Sequence, residues 1–105
     1  MLQPTAGPRR YHPRVVSRLT AKLWIGSHCS VVRILNLSMA GVCVVGSLPD
    51  YMERVHVCIG LPHGFELKVF AKVKRQEQGL LALEFETLDW DALIALARYL
   101  HPRFS

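Results

Sequence analysis

Glu66-Leu67-Lys68-Val69-Phe70-Ala71-Lys72-Val73-Lys74 decides the fold, because Leu67, Val69, Ala71 and Val73 alternate with Glu66, Lys68, Lys72 and Lys74. Successive side chains of a strand point to opposite faces, so period-two alternation marks a strand with one face on a core and one in water. The wet face of this strand is basic. Upstream, Gly60-Leu61-Pro62-His63-Gly64 is turn chemistry. Before that turn, Arg54 to Ile59 alternates in the same way, with Val55, Val57 and Ile59 on one face and Arg54, His56 and Cys58 on the other. Downstream, Gln76 to Gly79 closes a hairpin into Leu80-Leu81-Ala82-Leu83-Glu84-Phe85.

Working outward from these strands, Val15 to Ile25, Cys29 to Leu37 and Val42 to Val45 are rich in β-branched residues and separated by short Gly, Ser or Asn punctuation. They are predicted as three further strands, six in all with mainly short connections, which indicates an antiparallel barrel or sandwich. The period then changes. Leu93, Leu96, Ala97 and Leu100 recur at helical spacing, Asp89 is placed to cap the start and Pro102 to stop the chain, so one C-terminal helix is predicted.

Half of the 105 residues are hydrophobic, enough for one core and not two. We expect a tail over residues 1–8 and a single domain over 9–105. No apolar run approaches the roughly 18 residues of a bilayer span, and the first residues lack the apolar stretch of a secretory signal, so a cytoplasmic protein is expected. Cys29, Cys43 and Cys58 are odd in number and far apart, which suits strand or core positions better than a disulfide framework or a zinc knuckle. His28-Cys29 and His56-x-Cys58 come nearest to ligand spacing, but no Cys-x-x-Cys or His-x-x-x-His accompanies them, and no metal is expected. No nucleophile elbow, P-loop or paired acid motif is present, so no enzyme is expected. Trp24, Trp90 and Tyr99 are read as core or helix-packing aromatics. The net charge of +5 favours polyanions without choosing among them.

Two constellations choose. Arg10-Tyr11-His12-Pro13-Arg14 is an Arg-x-x-x-Arg, and Asn36-Leu37-Ser38-Met39-Ala40-Gly41 is an Asn-x-Ser-x-x-Gly between two predicted strands. In this order, ahead of a last strand at Leu80–Phe85 and a terminal helix, they make the chain resemble the PilZ domain family. The resemblance implies a six-stranded antiparallel β-barrel with a C-terminal helix. It also implies a cytoplasmic, non-enzymatic receptor for the bacterial second messenger cyclic di-GMP that signals to an effector protein, in processes such as motility, biofilm exopolysaccharide synthesis or virulence. It assigns ligand contacts to Arg10 and Arg14, and to Asn36, Ser38 and Gly41. A basic residue at Arg9, just before the first motif, is associated in the family with a stacked ligand dimer, to which Arg75 would add a contact.

The chemistry suits such a ligand, which offers two guanines and two phosphodiester charges. A guanidinium grips phosphate oxygens or the O6/N7 edge of guanine and stacks on its face. Asn36 supplies an amide acceptor for guanine donors, Ser38 a hydroxyl for ligand or turn, and Gly41 access to backbone angles closed to other residues. The family more often carries Asp at position 36, so weakened binding is expected. Two alternatives stand beside this reading. One is a PilZ-like adaptor that binds protein and no nucleotide. The other is a small basic barrel that binds RNA or single-stranded DNA through Lys68, Lys72, Lys74 and Arg75.

Overall fold

The alternation at residues 66–74 is realised in the longest strand of the molecule. The computed structural model describes residues 15–16, 18–62 and 64–101. Among them the chain forms strands β1 (Val15–Val16), β2 (Thr20–Ile25), β3 (His28–Leu37), β4 (Gly41–Val45), β5 (Arg54–Gly60), β6 (Glu66–Glu77) and β7 (Leu80–Phe85), then helix α1 (Trp90–Leu100). All pairings are antiparallel and run β3-β2-β5-β6-β7-β4, with β4 closing back on β3. The result is a closed six-stranded barrel, an arrangement that removes the exposed sheet edge. β1 adds a short extension on the far end of β3.

The expected strand from Val15 to Ile25 is therefore two pieces. β1 pairs Val15 with Leu37 and Val16 with Asn36, whereas β2 starts with Thr20 opposite Arg33, a register one residue out of step. The β2 register already holds at Leu19, whose carbonyl accepts the Ile34 N–H at 3.0 Å.

Inward residues of β2 to β7 fill the barrel: Leu23, Ile34, Leu37, Val44, Val55, Val57, Ile59, Leu67 and Leu81 are almost wholly buried. Ala92, Leu96 and Leu100 of α1 join the same core, as helical spacing requires. Asp89 caps the helix, its Oδ1 accepting the Ala92 N–H at 2.8 Å, and the His101 N–H donates to the Ala97 carbonyl at the other end. The β6–β7 hairpin turns through Gln78 (φ 55°) and Gly79 (φ 77°). Pro102 lies outside the described residues.

Three expectations are corrected. Trp24 is 38% exposed on the outer face and Trp90 is 73% exposed on the helix, so neither is a core aromatic. Tyr99 does pack against the core. Cys58 takes the outward position read from the alternation but is buried, flanked in register by Lys22 and Lys68. Long basic side chains lay their aliphatic stems over a sheet, and a small thiol lies beneath such cover. Cys29, Cys43 and Cys58 are all strand residues with free thiols.

Candidate ligand-binding site

Two β-bulges aim the site. On β3, Ile34 and Leu37 are both buried although three positions apart, which strict alternation forbids. The register against β4 slips between Ile34 and Asn36, and this turns Asn36 to the outside. On β6 the register against β7 slips between Val73 and Arg75, so Lys74 and Arg75 are both exposed although adjacent in sequence. Without the slip, Arg75 would point into the core.

The two bulges face one another across the barrel wall. Asn36 pairs in register with Cys43, Cys43 with Ala82, and Ala82 with Arg75, a single row over four strands. Its ends are separated by three strand spacings, roughly 14 Å. The row has small residues in the middle and polar ones at the ends, and it forms the bed of a hollow of about 450 Å³. Ser38, Ala40, Gly41, Lys74 and Glu84 complete the hollow. The Asn36 side chain is half-buried there and makes no hydrogen bond to any described residue. Of the polar groups around the rim, Lys74 and Glu84 form an ion pair at 3.7 Å.

Ser38 is turned into the turn between β3 and β4. Its Oγ accepts the Ala40 N–H at 3.1 Å and the Gly41 N–H at 3.2 Å and donates to the Gly41 carbonyl at 3.3 Å, while the Ser38 N–H donates to the same carbonyl at 2.9 Å. With its hydroxyl committed and only 6% of the residue exposed, Ser38 holds the bed in shape. Gly41 needs no unusual backbone angle, contrary to expectation: among the described residues the positive-φ glycines are Gly26, Gly64 and Gly79. Its requirement is closeness, since a Cβ there would sit 2.1 Å from the Leu83 carbonyl oxygen on β7. A side chain at 41 would push β4 off β7 just where the hollow lies.

Asn36, Ser38, Gly41 and Arg75 are thus brought together, and Arg9, Arg10 and Arg14 lie outside the described residues. Cys43, Ala82 and Glu84 were not singled out in the sequence, because small strand residues carry no signal until register places them between polar ends. The basic ladder of β6 is partly neutralised. Lys68 lies 3.7 Å from Glu66 and Lys74 the same distance from Glu84, while Lys72 and Arg75 have no ion-pair partner among the described residues. His56 Nδ1 and Cys58 Sγ are 3.9 Å apart, and among the described residues no group of three or more His, Cys, Asp or Glu side chains is placed to hold a metal ion.

The six-stranded closed barrel with its C-terminal helix superposes on solved structures. The inhibitor of motility MotI/DgrA of Bacillus subtilis superposes with a TM-score of 0.76 at 20% identity, over 91% of this chain and 51% of that one. The PilZ domain of CeSA from a cellulose-synthesizing bacterium superposes with a TM-score of 0.70 at 19% identity, over 89% of this chain and 99% of that domain. The chain has a PilZ-like fold. Escherichia coli YcgR, solved in complex with c-di-GMP, matches with a TM-score of 0.70 at 16% identity over 91% of this chain and 46% of that one. The PilZ-like barrel accordingly spans nearly the whole of the CeSA domain and about half of the Bacillus and E. coli proteins. No protein-family model matches the chain, and no curated protein sequence does. Among the described residues no helix of this PilZ-like chain is long and apolar enough to cross a membrane.

Proposed function

We propose that the chain is a non-enzymatic cytoplasmic receptor that binds cyclic di-GMP in the hollow between the two bulges. The observation that carries this reading is the row Asn36, Cys43, Ala82, Arg75: a small-residue bed long enough for an extended ligand with two planar bases, with an amide that has no partner among the described residues at one end and a guanidinium at the other. Asn36 meets a guanine edge, and Arg75 meets phosphate or a second base. Arg9, Arg10 and Arg14 follow the pattern of the resemblance and bring cations over the ligand. β1, which follows these arginines in the sequence, pairs with β3 at Asn36, and this supports the reading. Two similar structures, those of YcgR and of Borreliella burgdorferi PlzA, were solved with c-di-GMP.

Ligand contacts made only when the arginine segment lies against the barrel shift the population toward that arrangement, and an effector protein reads the altered surface. Arg9 and Arg75 together supply cations for a stacked pair of ligands. Calorimetric titration with cyclic di-GMP, with GTP and cyclic di-AMP as controls, tests the proposal. Saturable binding selective for cyclic di-GMP and lost in Arg14→Ala is expected, with a stoichiometry near two for the stacked pair. A flat titration of well-folded protein would overturn the receptor reading and favour an adaptor that binds protein alone, and equal binding of unrelated oligonucleotides would favour the nucleic-acid reading.

A further inference from the structure

The outer face of α1 is apolar where a solvent-facing helix has no need to be. Trp90 is 73% exposed and Ile94 38% exposed, while Ala92, Leu96 and Leu100 are buried in the barrel core. At 3.6 residues per turn, Trp90, Ile94, Arg98 and Asp91 fall within one arc of roughly 100° that points away from those buried residues. One flank of this stripe drops into a groove of about 390 Å³, whose apolar lining comes from Leu61, Phe65, Ile94 and Ala95. Asp91 and Arg98 line the same groove. Seven positions apart, they are separated by about 10 Å along the axis, too far to pair with each other. Neither has an ion-pair partner among the described residues. Acid in the first turn and base in the last suit the helix dipole, but the dipole does not explain the apolar ridge between them.

We propose that this face docks a second copy of the same chain through an antiparallel α1–α1 pair, with the two-fold axis between Ile94 and Ala95. The charge order selects this occupant. In an isologous contact residue i meets residue j while j meets i, and with the axis at that point Asp91 faces Arg98 of the second copy and Arg98 faces its Asp91. Ile94 packs at the centre. Trp90, on the other flank of the stripe, meets Ala97 of the second copy, a large side chain over a small one. A parallel pairing would set Asp91 on Asp91 and Arg98 on Arg98 and is disfavoured by repulsion. One face of an 11-residue helix with its groove falls well short of the roughly 800 Å² per partner of a standard interface, so the pair forms at high concentration.

Sedimentation velocity on the full chain, in a concentration series reaching the millimolar range, tests the pairing. The average mass of the unmodified protein is expected to rise toward that of a dimer. Asp91→Arg and Arg98→Asp, each verified as folded by circular dichroism, are each expected to weaken association at least tenfold, because each sets like charges against one another. An equimolar mixture of the two variants is expected to recover dimerisation, since both charge contacts become complementary again in the mixed pair. Mass that stays monomeric at every concentration would overturn the proposal. So would association indifferent to both single reversals, or a mixture that fails to recover it. The hollow at Asn36 is built from other elements, so failure here leaves the receptor reading intact and the reverse also holds.

Discussion

At the scale of single residues the Asn-x-Ser-x-x-Gly segment divides its labour. Asn36 presents an amide to the hollow with no partner among the described residues, Ser38 spends its hydroxyl on the backbone of Ala40 and Gly41, and Gly41 lets β4 touch β7. Ser38→Ala leaves two backbone donors without their acceptor and should lower unfolding stability by about 1–2 kcal/mol, as read by urea denaturation. Asn36→Ala removes no side-chain hydrogen bond among the described residues and should leave stability within about 0.5 kcal/mol while weakening cyclic di-GMP binding in the titration. The opposite pattern, with Ser38→Ala harmless to stability and Asn36→Ala damaging, would mean that the hydroxyl is held for the ligand and the amide for the fold. Sequence alone left both roles open for Ser38, because a buried turn hydroxyl and a ligand-binding hydroxyl are written with the same letter.

At the scale of elements, the hairpin joining β6 to β7 contains the one backbone position among the described residues where a residue other than Gly has positive φ, Gln78 at 55°. A left-handed conformation costs a residue with a full side chain roughly 1–2 kcal/mol, and Asn tolerates it better through its short polar side chain. Gln78→Asn should therefore raise stability by about 0.5–1 kcal/mol, seen as a higher urea midpoint with unchanged slope, and no gain would show that Gln78 is relieved by contacts that Asn cannot make. The strands themselves were legible from alternation. Leu67, Val69, Ala71, Val55, Val57 and Ile59 all face inward as read, and the helix starts at its Asp89 cap and buries Leu96 and Leu100, but Ala92 takes the core position in place of Leu93 and Ala97. The two bulges were not legible. An extra residue in one strand is defined by its partner strand, and Leu35 and Lys74 carry no local mark of it. Since the bulges aim Asn36 and Arg75, the motif could be read from sequence but not the row that makes it a site. Trp90 misled because an aromatic in an amphipathic helix is ordinarily core, and its position in the exposed arc shows only when the buried face is known.

At the scale of the whole molecule, the proposed receptor role requires a barrel with a net charge of +5 to distinguish a small dianion from any polyanion. Charge alone does not, because a long nucleic acid gains more from counterion release than a ligand with two phosphodiesters, and its affinity falls steeply with salt. The proposed reading rests on geometry instead: the hollow spans one four-strand row and is bounded by the Lys74–Glu84 pair, which cancels part of the local field. A ligand that binds the folded barrel and not the unfolded chain stabilises it by mass action, about 2.7 kcal/mol when its free concentration is 100 times the dissociation constant. For a domain of this size each kcal/mol moves the melting midpoint by roughly 4–8 °C, so cyclic di-GMP in that excess should raise the midpoint by about 10 °C or more. Two controls separate shape from charge. The shift should vanish in Arg14→Ala and shrink only modestly as salt is raised, whereas any shift from a single-stranded oligonucleotide should collapse over the same salt range, because only the oligonucleotide depends on many released counterions. A cyclic di-GMP shift as salt-sensitive as the oligonucleotide's would mean that the hollow acts as a patch of positive charge and that its row of small residues between Asn36 and Arg75 has no part in recognition, and a shift that Arg14→Ala leaves untouched would mean that the arginine segment makes no contact with the ligand.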